Sequence, residues 1–230
     1  MIIAHLLPLT KYLINGQYVQ VQPIDSNFAE RCICTILTTN WVQKLNQGVS
    51  VWLPLNTINM NIYLFPTELE ALLFRKACPD AKVVISGVGM AATARTIASL
   101  GCGAGDVVVL AGIAGCYDDS LSIGEVVEVV SEECVELPER FRSSYTQPRP
   151  CTSLRGVKSN TVHTMQSVSH GAEVENMEGA VLFAMSEAMG YRAIEVRAIS
   201  NRVGESFDKW RVDDALEALA RELKAFEYAE

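Results

Sequence analysis

The sequence contains no cluster of basic residues, and acids outnumber bases. Lysine and arginine total 19 against 27 aspartates and glutamates, so the net charge is −8 and the pI is about 5.0. Because phosphate backbones are bound by positively charged faces, this composition argues against nucleic acid as a partner. We expect any nucleotide-like ligand to be a small molecule.

Long apolar runs are also absent. No run reaches the roughly 20 residues that a membrane span needs. The apolar start "MIIAHLLPLTKYLI" has no basic region, carries Pro8 and lacks a small-residue cleavage site, so it does not resemble a signal peptide. With 49% hydrophobic and 20% charged residues, the chain is typical of a folded globular protein without a membrane anchor.

Metal-ligand patterns are missing as well. There is no CxxC pair or Cys/His cluster, and His5, His163 and His170 lie in unrelated contexts. We interpret the cysteines as reduced thiols, mostly in the core of a cytoplasmic protein, and expect no metal. The seven are Cys32, Cys34, Cys78, Cys102, Cys116, Cys134 and Cys151.

The chain changes character near residue 59. Residues 1–57 contain only five charged side chains and indicate short β-like pieces with turns at Asn15-Gly16 and 46–48. We therefore predict an atypical segment over 1–58 and an α/β domain over 59–230. Predicted strands are 62–65, 82–86, 107–111, 125–130, 156–158 and 193–200; predicted helices are 68–77, 91–100, 177–189 and 210–226.

Strands that alternate with helices predict a mostly parallel sheet covered on both faces. Ligands in such sheets bind where strands end. Four predicted strand ends are therefore candidate site loops: 66–70, 87–90, 112–115 and 200–202.

Two of these loops are rich in glycine. "SGVGMAATA" has the GxGxxA form of dinucleotide folds, but the next predicted strand ends in Ala111-Gly112 rather than in the acid that would bind a ribose. The glycines can equally serve a tight turn. "GIAG" (112–115) has almost no side chains, so it suits either a turn or the close approach of a flat ligand.

The acidic candidates also have two interpretations. Glu68 and Glu70 in "PTELEA" can compensate a helix dipole, and their spacing lets only one of them face a shared cleft. In "ENMEG", Glu175 and Asn176 can cap a helix and Glu178 can meet its dipole. Alternatively, Met177 and Glu178 together offer a thioether and a carboxylate to a sugar.

The strand "IEVRAISN" carries the remaining polar candidates. Ser200 and Asn201 close it, and an amide at that position offers a donor and an acceptor in one plane, although Asn is also a common turn residue. Glu195 and Arg197 alternate along one strand face. They can pair with each other or across a dimer contact.

The motifs "TELEA", "SGVGMAATA", "AGIAG…LSIGEVVEV", "VENMEGA" and "RAISNRVG" occur in an order similar to that of the purine nucleoside phosphorylase and nucleosidase superfamily. Within it the chain resembles the futalosine hydrolases, over roughly residues 60–226. The resemblance implies a three-layer αβα fold around a mixed, partly barrel-like sheet, usually in homodimers. It also implies cleavage of an N-glycosidic bond in a small nucleoside.

The resemblance assigns roles by position. Glu70 matches the acid that activates water, Glu178 with Met177 matches the ribose-binding pair, and Ser200-Asn201 matches the pair at purine N7. The remaining candidate contacts with substrate are Gly112, Ile113, Ala114, Thr161 and Val162. The last two stand in for a base-stacking wall, because the segment 136–160 is shorter than in the family.

Asn201 stands where adenine-specific members of the superfamily carry an Asp. An Asn amide can donate to O6 or N7 of a 6-oxopurine, so it favours hypoxanthine or guanine over adenine. The carboxylate of Glu70 repels phosphate, and Ala91-Ala92 replaces a helpful hydroxyl, so water is the expected nucleophile. The expected reaction is hydrolysis of futalosine to hypoxanthine and dehypoxanthine futalosine in the alternative menaquinone pathway, without metal or cofactor.

Other functions stay open at this point. A methylthioadenosine/adenosylhomocysteine-type nucleosidase or a phosphorylase would share the motifs, and an inactive nucleoside-binding protein would fit the short wall. Residues 1–58 match nothing in the family, whereas "MNIYLFPTELEA" from Met60 resembles a normal family start. We expect either an appended element or the product of an upstream start; an intact mass that begins at Met1 would exclude the second.

Overall fold

In the computed structural model, residues 61–117, 119–147, 149–166 and 168–226 are described, together with the backbone of 10–14 and 17–21. The chain divides into two compact units, Met1–Thr57 and Ile58–Glu230. In the first unit, β1 (Thr10–Ile14) and β2 (Gln17–Val21) pair antiparallel, with Ile14 opposite Gln17. Both predicted turns, Cys32, Cys34 and His5 lie outside the described residues.

Four parallel strands organise the second unit. They are β3 (Asn61–Phe65), β4 (Lys82–Ile85), β5 (Val107–Cys116) and β10 (Arg192–Arg202). Their order is β4-β3-β5-β10, so four carboxyl ends lie along one edge. The central pair, β5 and β10, is buried along nearly all of its length.

A second group of strands curls the sheet into a barrel. It comprises β6 (Val126–Cys134), β7 (Ser144–Thr146), β8 (Arg155–Thr161) and β9 (Val174–Asn176). β6 runs antiparallel to β10, β8 and β9 follow, and β9 returns to pair antiparallel with β5. This closes the ring β5-β10-β6-β8-β9, while β7 pairs with β6 outside it.

Within the described residues, four α-helices cover the sheet. They are α1 (Glu68–Ala77), α2 (Met90–Leu100), α3 (Gly179–Met189) and α4 (Val212–Lys224). Phe74 of α1 and Leu219 of α4 belong to one core cluster, whereas Ile97 of α2 and Leu182 of α3 belong to another. Two cores on two faces give three layers, so the predicted αβα fold with a mixed, partly barrel-like sheet is confirmed.

The predicted loop at 112–115 is wrong. These residues continue β5, where Gly112 pairs with Arg197 and Gly115 with Asn201 of β10. The small residues are needed for close packing within the sheet rather than for a turn.

The helix predicted over 177–189 is present as α3, which begins two residues later at Gly179 and ends as predicted. Residues 174–176, for which no strand was predicted, pair as β9. Strands β6, β8 and β10 extend beyond their predicted ends.

The described cysteines are free. Cys102, Cys116 and Cys134 are buried, and Cys78 and Cys151 are partly buried, which agrees with the prediction of reduced thiols. No described helix has the length and apolar character of a membrane span. Over the same residues, no group of three or more His, Cys, Asp or Glu could hold a metal.

Candidate active site

The carboxylate of Glu70 points from α1 toward the central strand. Thr67 begins the helix: its Oγ1 accepts from the Glu70 N–H at 3.2 Å and donates to Glu70 Oε2 at 2.7 Å. Glu70 Oε1 accepts from the Ile113 N–H of β5 at 3.1 Å. Glu70 is 8% exposed, whereas the Glu68 side chain is 71% exposed and pairs with Arg75. Of the two predicted acids, only Glu70 faces the sheet.

The position of Glu70 suits a base. Burial raises the pKa of its carboxyl above the ordinary value of 4.5, and the nearby charge of Glu178 acts in the same direction. Hydrogen bonds from Thr67 and Ile113 and the charge of Arg197 oppose the rise. A carboxylate with a raised pKa is a better proton acceptor than an exposed one, which is what activation of water requires.

Glu178 lies between a glycine turn and a buried guanidinium. Its Oε1 accepts from the Gly89 N–H at 2.9 Å, and its Oε2 accepts from Arg197 Nη2 at 3.2 Å. Although Glu178 is the residue before α3, its side chain makes no capping bond. Gly87 and Gly89 have φ of 82° and 85°, so the "SGVGM" motif serves a glycine turn whose amide binds Glu178. The dinucleotide interpretation is not needed to explain it.

The guanidinium of Arg197 bonds to two acids, Glu195 and Glu178. Its Nε donates to Glu195 Oε1 at 2.8 Å, and its Nη2 donates to Asn176 Oδ1 at 2.9 Å as well as to Glu178. Burial acts to lower the pKa of Arg197, but the carboxylates of Glu195 and Glu178 outweigh it and raise that pKa. The predicted pairing of Glu195 with Arg197 is therefore present within the chain, and Arg197 is a permanent cation in the site.

Gly112 lies against both the Glu70 carboxylate and the Arg197 guanidinium. A Cβ at this position would lie 2.8 Å from Arg197 Nη1 and 2.8 Å from Glu70 Oε1. Such distances are too short for van der Waals contact, so any side chain at 112 must displace both charged groups. The glycine thus sets the spacing between Glu70 and Arg197.

We expect Gly112→Ala to lower kcat/KM by about 10–100-fold, since misplacing reacting groups by about 1 Å can cost 10²-fold. The expected loss of stability is about 1–3 kcal/mol from overpacking. Steady-state kinetics and thermal melts would measure the two effects. Gly124→Ala is the control for glycine removal: a Cβ there meets nothing within 4 Å, although its φ of 81° also predicts backbone strain. Equal activity losses in both variants would contradict this account.

Asn201 lies at the carboxyl end of β10, where the pairing with β5 shifts register after Ile199. Ser200 Oγ is 2.8 Å from Asn201 Oδ1 and donates to it, while Asn201 Nδ2 donates to the Arg202 carbonyl at 3.0 Å. Ser200 is fully buried. Its hydroxyl therefore orients the Asn201 amide rather than presenting itself to a ligand.

Of the remaining predicted residues, Met177 and Ala114 lie beside other site residues, whereas Thr161 and Val162 are buried. Met177 is partly buried beside Glu178, and the Ala114 carbonyl lies 3.3 Å from Ser200 Oγ. Thr161 differs from its predicted place in a wall: it is fully buried, donates to Glu132 Oε2 at 2.7 Å and accepts from the Ala180 N–H at 2.8 Å. Val162 is buried, and its N–H donates to the Asn176 carbonyl.

Sequence reasoning missed three parts of the site. The Gly89 N–H donates to Glu178, and Arg197 donates to Asn176 Oδ1. Glu132 accepts from Asn176 Nδ2. Asn176 does accept from the N–H groups of Glu178 and Gly179, as its cap interpretation predicted. The only signal for Glu132 was an acid in the apolar run "VVEVVSEEC".

The chain is similar to known proteins over a short segment of sequence and over most of its fold. No family model matches the chain. A segment of 56 residues is 48% identical to the futalosine hydrolase of Thermus thermophilus, and it covers 24% of this chain and 24% of that protein. The match thus spans about a quarter of that relative's length.

Solved structures cover much more of the chain. The native futalosine hydrolase of Helicobacter pylori superposes with a TM-score of 0.60 at 14% identity, over 73% of this chain and 97% of that one. The 5'-methylthioadenosine/S-adenosyl homocysteine nucleosidase of Campylobacter jejuni gives a TM-score of 0.58 at 14% identity, over 73% and 99%. The described α/β unit therefore has the nucleosidase fold. Both futalosine hydrolase and the methylthioadenosine nucleosidases share it, as the motifs predicted.

Proposed function

We propose that the protein is a nucleosidase that hydrolyses the N-glycosidic bond of a 6-oxopurine nucleoside, with futalosine as the substrate. The observation that carries this proposal is that the carboxylates of Glu70 and Glu178 both lie near the buried guanidinium of Arg197, with Gly112 beside Glu70 and Arg197. In the proposed reaction Glu70 takes a proton and Glu178 binds hydroxyls. The 48% identity to a futalosine hydrolase over 56 residues supports the choice of substrate.

The ribose would bind at Glu178. A carboxylate has about four lone-pair positions, and Gly89 and Arg197 occupy one on each oxygen. The others can accept from the 2′- and 3′-hydroxyls, while Met177 packs against the ring. Because Arg197 and Gly89 fix the carboxylate before substrate arrives, little reorganisation is needed when C1′ becomes oxocarbenium-like.

The leaving base would be stabilised by Asn201. One N–H of its amide donates to the Arg202 carbonyl, and the amide has a second N–H that can donate to O6 or N7 of the purine. As the C1′–N9 bond breaks, its electron pair moves into the purine, and this hydrogen bond strengthens with the developing charge. Glu70 then takes a proton from the water that attacks C1′.

The test is release of base, followed by chromatography, from futalosine, inosine and methylthioadenosine, each with and without phosphate. We expect hypoxanthine from futalosine at a rate independent of phosphate. Adenine release would favour the methylthioadenosine-type alternative, and phosphate dependence would favour a phosphorylase. If no base is released from any of the three nucleosides, a nucleoside-binding protein without activity would be favoured.

Asn201→Asp should shift base preference. A carboxylate accepts from a 6-amino group and, when protonated, donates to N7, but when ionised it repels O6. We expect the ratio of kcat/KM for futalosine to that for methylthioadenosine to fall by about 10-fold or more, corresponding to the 1–3 kcal/mol cost of an unpaired polar group. Competition assays would measure the ratio. Asn160→Asp is the control, since Asn160 is also a buried asparagine but its Nδ2 donates to the Ser169 carbonyl. An unchanged ratio would remove Asn201 as base selector.

We further propose that residues 59–230 carry the activity and that the protein is a cytoplasmic homodimer without metal or cofactor. Free buried thiols support a reducing compartment. Light scattering would measure the mass in solution, and activity after treatment with a chelator would test the metal.

A further inference from the structure

Two acids lie in contact beneath the proposed site. Glu132 of β6 and Glu195 of β10 come from neighbouring antiparallel strands, and both are 0% exposed. Gly179, the first residue of α3, packs directly over them: a Cβ there would lie 2.2 Å from Glu132 Oε1 and 2.4 Å from Glu195 Oε2. The helix can begin here only because residue 179 has no side chain.

The charges around this pair do not balance if every acid is ionised. Within the described part of the chain, Arg197 is the single cation that bonds to the buried acids of the site. The groups that face the pair are the charged Arg197 and Glu178 and the polar Ser159, Thr161 and Asn176, with the backbone of Gly179 in contact with both acids. The charge of Glu70 acts on the same Arg197. One guanidinium cannot neutralise four carboxylates in a dry interior.

One oxygen identifies where a proton belongs. Among the described residues, Glu195 Oε2 is a buried oxygen without a hydrogen-bond donor. Glu195 Oε1 already accepts from Arg197. The neighbouring Glu132 is the group in contact that can supply a donor, once it is protonated. Burial, and then the adjacent charge of Glu195, raise the pKa of Glu132 well above its ordinary value.

The pair is connected to the ribose site through Asn176. The amide Nδ2 donates to Glu132 Oε1 and, at 2.8 Å, to Ser159 Oγ. Its Oδ1 accepts from the N–H groups of Glu178 and Gly179 and from Arg197 Nη2. If the amide were flipped, its NH₂ group would face three donors: the N–H groups of Glu178 and Gly179 and Arg197 Nη2. Glu132 thus fixes the amide, and the amide fixes both the backbone and the ion-pair partner of Glu178.

We propose that Glu132 and Glu195 share one proton and act as positioning residues for Glu178, through Asn176 on one side and Arg197 on the other. This inference rests on the proposed nucleosidase function for its kinetic consequences. The arrangement removes one of the four negative charges around Arg197: Glu132 is neutral and donates to Glu195, and Arg197 pairs with both Glu195 and Glu178.

The kinetic test compares Glu132→Gln with Glu132→Ala. A Gln has no proton to lose. With its oxygen accepting from Asn176, its NH₂ takes the position of Oε2, where the Thr161 hydroxyl can reverse and accept from it. We expect kcat/KM for futalosine at neutral pH to fall less than 5-fold in E132Q and more than 50-fold in E132A. Rising pH should remove the shared proton and lower wild-type kcat/KM, and this alkaline decline should be absent in E132Q.

Glu128→Gln is the matched control. Glu128 lies on the same strand and is equally buried, but it accepts from Cys151 and Thr152 away from the site. We expect E128Q to keep the alkaline decline of the wild-type enzyme. The proposal is overturned if E132Q retains the decline, or if E132Q is as impaired as E132A while both remain folded by circular dichroism.

A second measurement does not depend on catalysis. Infrared difference spectra of wild type minus E132Q at neutral pH should contain the carbonyl band of a protonated carboxylic acid, and spectra of wild type minus E128Q should not. Absence of the band would overturn the shared proton even if nucleosides are hydrolysed. Presence of the band in a protein that hydrolyses none of the nucleosides would leave the pair in place and reject the nucleosidase function instead.

Discussion

We expect Glu70→Gln to lower kcat for the proposed hydrolysis of futalosine by about 10²–10⁴-fold, the range for loss of a general base, and to raise the melting temperature. Gln cannot take a proton from water, so the loss falls on kcat. Its amide oxygen can still accept from the Ile113 N–H, and the Thr67 hydroxyl can reverse to accept from its NH₂. The structure around residue 70 is therefore kept.

The rise in stability follows from the raised pKa of Glu70. An acid whose folded-state pKa lies above the unfolded value of 4.5 binds its proton more tightly when folded. Its contribution to stability is complete below that unfolded value and is lost as pH rises through the folded pKa. Once it is ionised, the buried carboxylate is unfavourable, whereas Gln carries no charge at any pH. A gain of about 1 kcal/mol corresponds to roughly 2–4 °C for a chain of this size.

The same pKa governs the acid side of the activity profile. Protonation removes the base, so wild-type kcat/KM should decline as pH falls through the raised pKa of Glu70. Glu68→Gln is the matched control, since Glu68 lies in the same helical turn but is exposed. E68Q should change neither kcat nor melting temperature appreciably. A Glu70→Gln enzyme with near-wild-type kcat would exclude Glu70 as the base.

Glu178→Gln combines inactivation with the opposite change in stability. Each hydrogen bond to a charged group contributes about 1.5–3 kcal/mol, so weakening two bonds to ribose hydroxyls should lower kcat/KM at least about 100-fold. The new NH₂ group must also face either the Gly89 N–H or Arg197 Nη2. Two donors in contact cost about 1–3 kcal/mol, and the melting temperature should fall by several degrees.

Comparison of the two variants is more informative than either alone. Glu70→Gln is expected to be inactive and more stable, whereas Glu178→Gln is expected to be inactive and less stable. Glu187→Gln, on the exposed face of α3, controls for loss of an acid from that region. If Glu178→Gln retained futalosine affinity and stability, the carboxylate would not be the ribose ligand.

Local sequence patterns predicted many of the strands and helices. Alternating apolar runs and helical periodicity placed β3 and β4 within about a residue, and the helix 68–77 matches α1 at both ends. These elements obey their own propensities, because their apolar faces and caps are local in sequence. The loop at 112–115 was wrong because glycine and alanine predict a turn locally, while β10 alongside requires small residues in a strand.

For the site, sequence by itself determined which residue types were available: Glu70 after a predicted strand, Met177-Glu178 at the start of a predicted apolar helix, and Ser200-Asn201 at a strand end. Tertiary structure alone decided how they act together. Burial against the sheet distinguishes Glu70 from the exposed Glu68 and raises the pKa of Glu70, and Glu178 is held by a glycine amide 89 residues away. Three strands supply the buried polar network: β6 supplies Glu132, β9 supplies Asn176, and β10 supplies Glu195 and Arg197. The hydrogen bonds and ion pairs among these side chains become strong only when the folded strands exclude water from the barrel.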